Sequence, residues 1–79
     1  MIQEPKVKGQ RSKVLMRAHR LAEMPVESIK SIVLSYSSRA DLRVLGAGEA
    51  ICRARKDAQK ARVIHRSIER LRKDLRRTS

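Results

Sequence analysis

After Gly48 the chain contains neither proline nor glycine, and the apolar residues of that stretch recur at steps of three and four: Ile51, Ala54, Ala58, Ala61, Ile64, Ile68, Leu71 and Leu75. This spacing lines one face of an α-helix, whereas a half-buried strand would alternate every second residue. One helix over about 49–76 is predicted, and uninterrupted it would run roughly 40 Å at about 1.5 Å per residue. Glu49 sets a negative charge at its first turn, where the helix dipole favours one. Glu49 with Arg53 and Glu69 with Lys73 form i,i+4 pairs worth only about 0.2–0.5 kcal/mol each.

On the opposite face of the distal half, at about 100° per residue, fall Arg62, Arg66, Arg70, Lys73 and Arg77, with Arg72 and Arg76 beside them. From Glu49 onward eleven Lys and Arg stand against four acids, and eight of the eleven are Arg. The planar guanidinium fork donates two hydrogen bonds to a phosphate, which suits Arg to polyanions. The whole chain carries 20 Lys and Arg against 8 acids, a net charge of +12. That is more than solubility asks of so small a domain, and it self-repels unless an anion neutralises it. A charge run on a helix is commonly just a solvated face; here the run is of one sign. A phosphate-gripping face is therefore predicted, on condition that the helix is continuous and its cations are not tied up by internal carboxylates.

The rest of the chain reads as helical. Residues 1–11, with Pro5, Lys6, Lys8, Gly9 and Arg11, have the composition of a flexible basic arm, and 12–79 read as a single small domain. Lys6, Lys8, Arg11 and Lys13 would extend the grip on a polyanion. Ser12 is placed to cap a helix over 13–23, with Val14, Leu15, Ala18, Leu21 and Ala22 on one face and Pro25 as its stop. Pro25 suits the first position of a second helix over 25–36, in which Val26, Ile29, Ile32, Val33 and Tyr36 again step by three and four. Residues 41–45 are ambiguous. Leu42 and Val44 alternate with Asp41 and Arg43 as in a strand, yet Ser38 followed by Asp41 equally fits a capping box.

With no Trp, no Phe and one Tyr, the core must be built from aliphatic side chains, which favours packed helices: a mainly α fold with a long basic C-terminal helix. A chain this short buries only roughly 60% of its unfolded surface. The apolar stripe then has two readings. It packs on the first two helices of its own chain, or Ile64, Ile68, Leu71 and Leu75 form a short coiled-coil seam joining a homodimer.

The segment Asp41-Leu42-Arg43-Val44-Leu45-Gly46-Ala47-Gly48-Glu49-Ala50-Ile51, with Arg53-Ala54 and Ala58 after it, resembles the second strand, glycine turn and second helix of Alba-type chromatin proteins and the related stage V sporulation S family. Pro25-Val26 is similar to the start of the first Alba helix. The resemblance covers about a third of the chain. It implies an alternative α/β fold, a truncated βαβα with an extended second helix, in which 14–21 would be the first strand and Gly46 and Gly48 the turn. It also implies dimeric binding of DNA or RNA.

Other classes find little support. Cys52 and His65, on one predicted helix, would be roughly 20 Å apart, so no nucleophile–base pair is expected and the chain does not read as an enzyme. His19, His65 and one Cys make no metal cluster, and no cofactor is implied. Ile51 stands where the dinucleotide fingerprint after Gly46-Ala47-Gly48 needs a third glycine. A helix-turn-helix over the first two helices would read DNA with Lys30 as its sole base on the second. The longest strictly apolar run is Ile32-Val33-Leu34, far below the ~20 residues that span a bilayer, and the lone cysteine suits a cytoplasmic or nucleoid-associated protein. The expected function is a small nucleic-acid-binding protein of regulator or nucleoid type, with DNA ahead of RNA. The alternative is a helical interaction protein: an adaptor, inhibitor or ribonucleoprotein subunit docking on an acidic protein.

Overall fold

The computed structural model describes residues 5–78, with side chains over 13–77. Among these the elements are α1 (Pro5–Glu23), α2 (Val26–Ile32), a 3-10 turn (Val33–Ser35), α3 (Arg39–Ala54) and α4 (Ala58–Thr78). No strand occurs among the described residues, so the chain is mainly α. The α/β alternative is overturned. Residues 14–21 lie within α1, and 41–45 together with Gly46-Ala47-Gly48 lie inside α3 rather than forming a strand and turn.

The capping box decides the ambiguous segment. Ser38 Oγ accepts from the Asp41 amide at 3.1 Å, and the Asp41 carboxylate accepts in return from the Ser38 amide at 3.1 Å. Two orphan donors at the start of α3 are thereby satisfied. Asp41 also accepts from the Ser37 amide and from the Arg17 guanidinium, each at 2.8 Å, which ties α1 to the start of α3. Arg17 in addition lies over the Tyr36 ring, 5.4 Å from its centroid.

Partial burial pushes the Asp41 carboxyl up, but hydrogen bonds from Arg17, Ser37 and Ser38 outweigh it and hold its pKa at about 2, below the ordinary 3.8. A depressed carboxylate stabilises the fold fully above its unfolded pKa and loses that contribution as pH falls through the folded value. The difference corresponds to at most about 2 kcal/mol, because Arg17 is half-exposed and screened. Acid melts of the wild-type chain and Asp41→Asn should accordingly differ by a constant amount above about pH 4 and converge towards about pH 2.

The single C-terminal helix predicted over 49–76 is two helices. The break at 55–57 is a Schellman motif: the Lys56 amide donates to the Arg53 carbonyl at 3.0 Å and the Asp57 amide to the Cys52 carbonyl at 2.8 Å, with Lys56 at φ 60°. This left-handed position usually belongs to glycine, and a lysine there conceals the stop. Asp57 then starts α4, its carboxylate accepting from the Lys60 amide at 3.2 Å. Lys56→Gly should relieve the Cβ clash and raise stability by roughly 0.5–1 kcal/mol, read as a higher urea midpoint at constant m-value.

The turn folds α4 back along α3, which itself packs on α1, while α2 packs on α4. Ala18, Leu21 and Ala22 of α1, Ile29 of α2, Val33, then Val44, Leu45 and Cys52 of α3 and Ala61, Ile64, Ile68 and Leu71 of α4 form the core. Gly48 lets α1 and α4 approach α3. A Cβ at this position would stand 3.2 Å from Leu21 Cδ2 and 3.7 Å from Ile64 Cδ1.

Three expectations change with this packing. Ile64, Ile68 and Leu71, read as a possible dimer seam, are inside the chain's own core, and only Leu75 remains half-buried. Ala54 and Ala58 are exposed, because the reversal at 55–57 takes them off the stripe. Leu15, expected on the inner face of the first helix, is exposed too. The helix predicted over 13–23 lies within α1, and that over 25–36 is α2 with the following 3-10 turn. Residues 1–4 of the expected arm, and the side chains of Lys6, Lys8 and Arg11, lie outside the described residues.

Candidate nucleic-acid interface

The break at 55–57 removes the proximal half of the predicted rod, so the condition of one continuous helix over 49–76 is not met. The narrower statement that survives concerns α4 alone. Arg62, Arg66, Arg70, Lys73 and Arg77 all lie within this one helix, and all are exposed. They stand opposite Ala61, Ile64, Ile68 and Leu71, whose burial turns the cationic ridge outward.

Distribution of the carboxylates decides whether that ridge is free to bind. Among the described residues, Asp41 pairs with Arg17 at 2.8 Å, Glu27 with Lys30 at 3.6 Å, Glu49 with Arg53 at 2.6 Å, Glu23 with Arg55 at 3.9 Å and Asp57 with Lys60 at 3.8 Å. Glu69 lies 3.3 Å from His65 Nε2, and Glu49 lies 3.2 Å from His65 Nδ1. None of these pairs uses a cation of the α4 ridge. Lys60 is engaged further, donating to the Ala22 carbonyl at 3.0 Å, where its charge complements the C-terminal end of α1.

The five predicted cations are not one cluster. Arg66, Arg70, Lys73 and Arg77 border one shallow depression, together with Glu69 and Asp74. Arg62 lines a neighbouring one with Arg53, Ala58, Ala61 and His65. Lys13 is exposed on α1.

A second cationic group was missing from the sequence-based site. Arg39 and Arg43 of α3 and Arg72 and Arg76 of α4 line one open cleft with Leu42 and Leu75. All four arginines are exposed. The i,i+4 spacing within each pair was visible in the sequence, but joining the pairs requires the reversal at Lys56, which was not.

Cys52 is fully buried, and that burial pushes its thiol pKa up, the opposite of what a nucleophile needs. No helix among the described residues is long and apolar enough to cross a membrane. No family model matches the chain, and no characterised protein or solved structure is significantly similar to it.

Proposed function

We propose that this protein binds nucleic acid, DNA in the first place, by gripping the phosphate backbone with the outer face of α4. The observation that carries the reading is an exposed ridge of five cations on one helix, none of them in an ion pair among the described residues, in a chain of net charge +12. Arg66, Arg70, Lys73 and Arg77 share one depression and act as the main contacts, with Arg62 one turn away. Lys6, Lys8, Arg11 and Lys13 supply further charge from the N-terminal side.

The mechanism is counterion release. Each phosphate neutralised on duplex DNA contributes roughly −0.9 to the slope of log K against log salt, so about five contacts give a slope near −4.5. Binding to duplexes of unrelated sequence should be of similar strength, because phosphate contacts carry no sequence information. Single strands should bind less well, since Tyr36 is the sole aromatic ring available for base stacking. A salt series on matched duplex DNA, single-stranded DNA and RNA measures slope and preference together. A slope near zero rules the reading out, and copurification with a stoichiometric acidic protein in place of nucleic acid assigns the ridge to protein docking.

A further inference from the structure

The cleft between the first turns of α3 and the last turns of α4 differs from the α4 ridge in one respect that bears on binding. The depression bordered by Arg66, Arg70, Lys73 and Arg77 also contains Glu69 and Asp74, whereas among the described residues the cleft is lined by four arginines and two leucines. Arg39, Arg43 and Arg72 enter no ion pair among the described residues. Like charges gathered this way repel one another, and an anion seated between them removes the repulsion.

α4 runs back along α3, with Glu49 of α3 3.2 Å from His65 of α4, so the first turns of α3 face the last turns of α4 and Arg39 and Arg43 come to the same cleft as Arg72 and Arg76. Within each wall the two arginines are one helical turn apart, about 6 Å along the axis at four residues of rise. The cleft thus offers guanidinium groups on both of its walls to successive phosphates of a strand. Leu42 and Leu75, both half-buried, lie with them as the apolar part of the lining, against which the strand's sugars can rest. Arg76 and Arg72 also border the α4 ridge around the helix, next to Lys73 and Arg77 in sequence, so an extended polyanion can pass from cleft to ridge without leaving positive surface.

We infer that this two-walled arginine cleft is a second phosphate site, which seats the backbone of one strand of duplex DNA while the α4 ridge contacts the same molecule. It rests on the reading of α4 given above, and it adds Arg39 and Arg43 of α3, together with Arg72 and Arg76, to the interface. A duplex is favoured over a single strand because the cleft is lined by no aromatic ring on which an unpaired base would stack. An extended polyanion is favoured over an acidic peptide because the positive surface continues well beyond the cleft.

The test is fluorescence anisotropy of the full chain with a labelled 24-base-pair duplex across a salt series, with a single strand of the same length and poly-glutamate as competing probes. Arg39→Glu/Arg43→Glu should lower duplex affinity at least about tenfold near physiological salt and make the salt slope shallower by roughly 2, two contacts at about 0.9 each. Arg39→Lys/Arg43→Lys should keep the slope and lose little affinity. A charge-neutral Arg39→Gln/Arg43→Gln pair serves if the reversed variant does not give a native circular-dichroism melt, with the same shallower slope expected. An unchanged duplex affinity and slope in these variants overturns the cleft, and if Arg66→Glu/Arg70→Glu still abolishes binding, the ridge stands without it. Poly-glutamate binding that matches the duplex and falls equally in the α3 variants also overturns it, in favour of an acidic protein, as does tighter binding of the single strand.

Discussion

Arg66→Glu/Arg70→Glu is expected to weaken duplex DNA binding by at least about a hundredfold near physiological salt, with the thermal midpoint of the protein unchanged. Both side chains are exposed on α4 and neither enters an ion pair among the described residues, so no internal contact is broken. Surface substitutions of that kind usually stay within about 0.5 kcal/mol of wild-type stability. For binding the effect is large, because each reversal removes one attraction and adds one repulsion at a phosphate. The salt slope should become shallower by roughly 2. Arg66→Lys/Arg70→Lys keeps the charge and should retain most of the slope, losing only the bidentate geometry. A gel-shift titration beside a circular-dichroism melt separates the two effects, and undiminished affinity in the Glu pair would remove α4 from the interface.

Ile64→Ala should cost about 3–5 kcal/mol. Ile64 is fully buried in the core, where its Cδ1 lies against the space that Gly48 leaves open. A domain of this size has roughly 4–12 kcal/mol in total, so the variant loses a large share of it and a good part of the population unfolds on modest warming. The same substitution also distinguishes the two uses of the apolar stripe. Burial inside one chain makes the loss independent of protein concentration, whereas a residue joining two copies would give a midpoint that rises with concentration. Urea melts at several concentrations with coincident midpoints are the expected result.

Much of the helical content was legible in the sequence because it rests on local rules. The stop at Pro25 and the three-and-four spacing of Ile64, Ile68 and Leu71 each act over one or two turns, whereas the Ser38–Asp41 capping box was only one of two open readings of 41–45. The inward face of α4 and its outward cations follow from that spacing alone. What escaped was a matter of backbone conformation and of distance. Lys56 adopts a left-handed geometry that its side chain does not advertise, and Asp57 behind it was not recognised as a helix start. A single misread stop extended the rod across 55–57, left Ala54 and Ala58 on a stripe they do not belong to, and freed Ile64, Ile68 and Leu71 for a second chain. The glycines of α3 misled in the opposite direction. Gly46 and Gly48 suggested a turn, but Gly48 sits within a helix at a close crossing, where tertiary packing overrides propensity. Arg39 and Arg43 stayed out of the predicted site because Arg72 and Arg76, with which they line the cleft, are 29 or more positions away, and no local pattern joins them.

The cation–π contact between Arg17 and Tyr36 has an optical consequence. Tyr36 is the chain's only fluorophore of note and lies at the contact between α1 and the loop before α3, so its emission reports the undocking of that helix. Unlabelled protein can therefore be melted with tyrosine emission following the release of α1 from its contact with Tyr36.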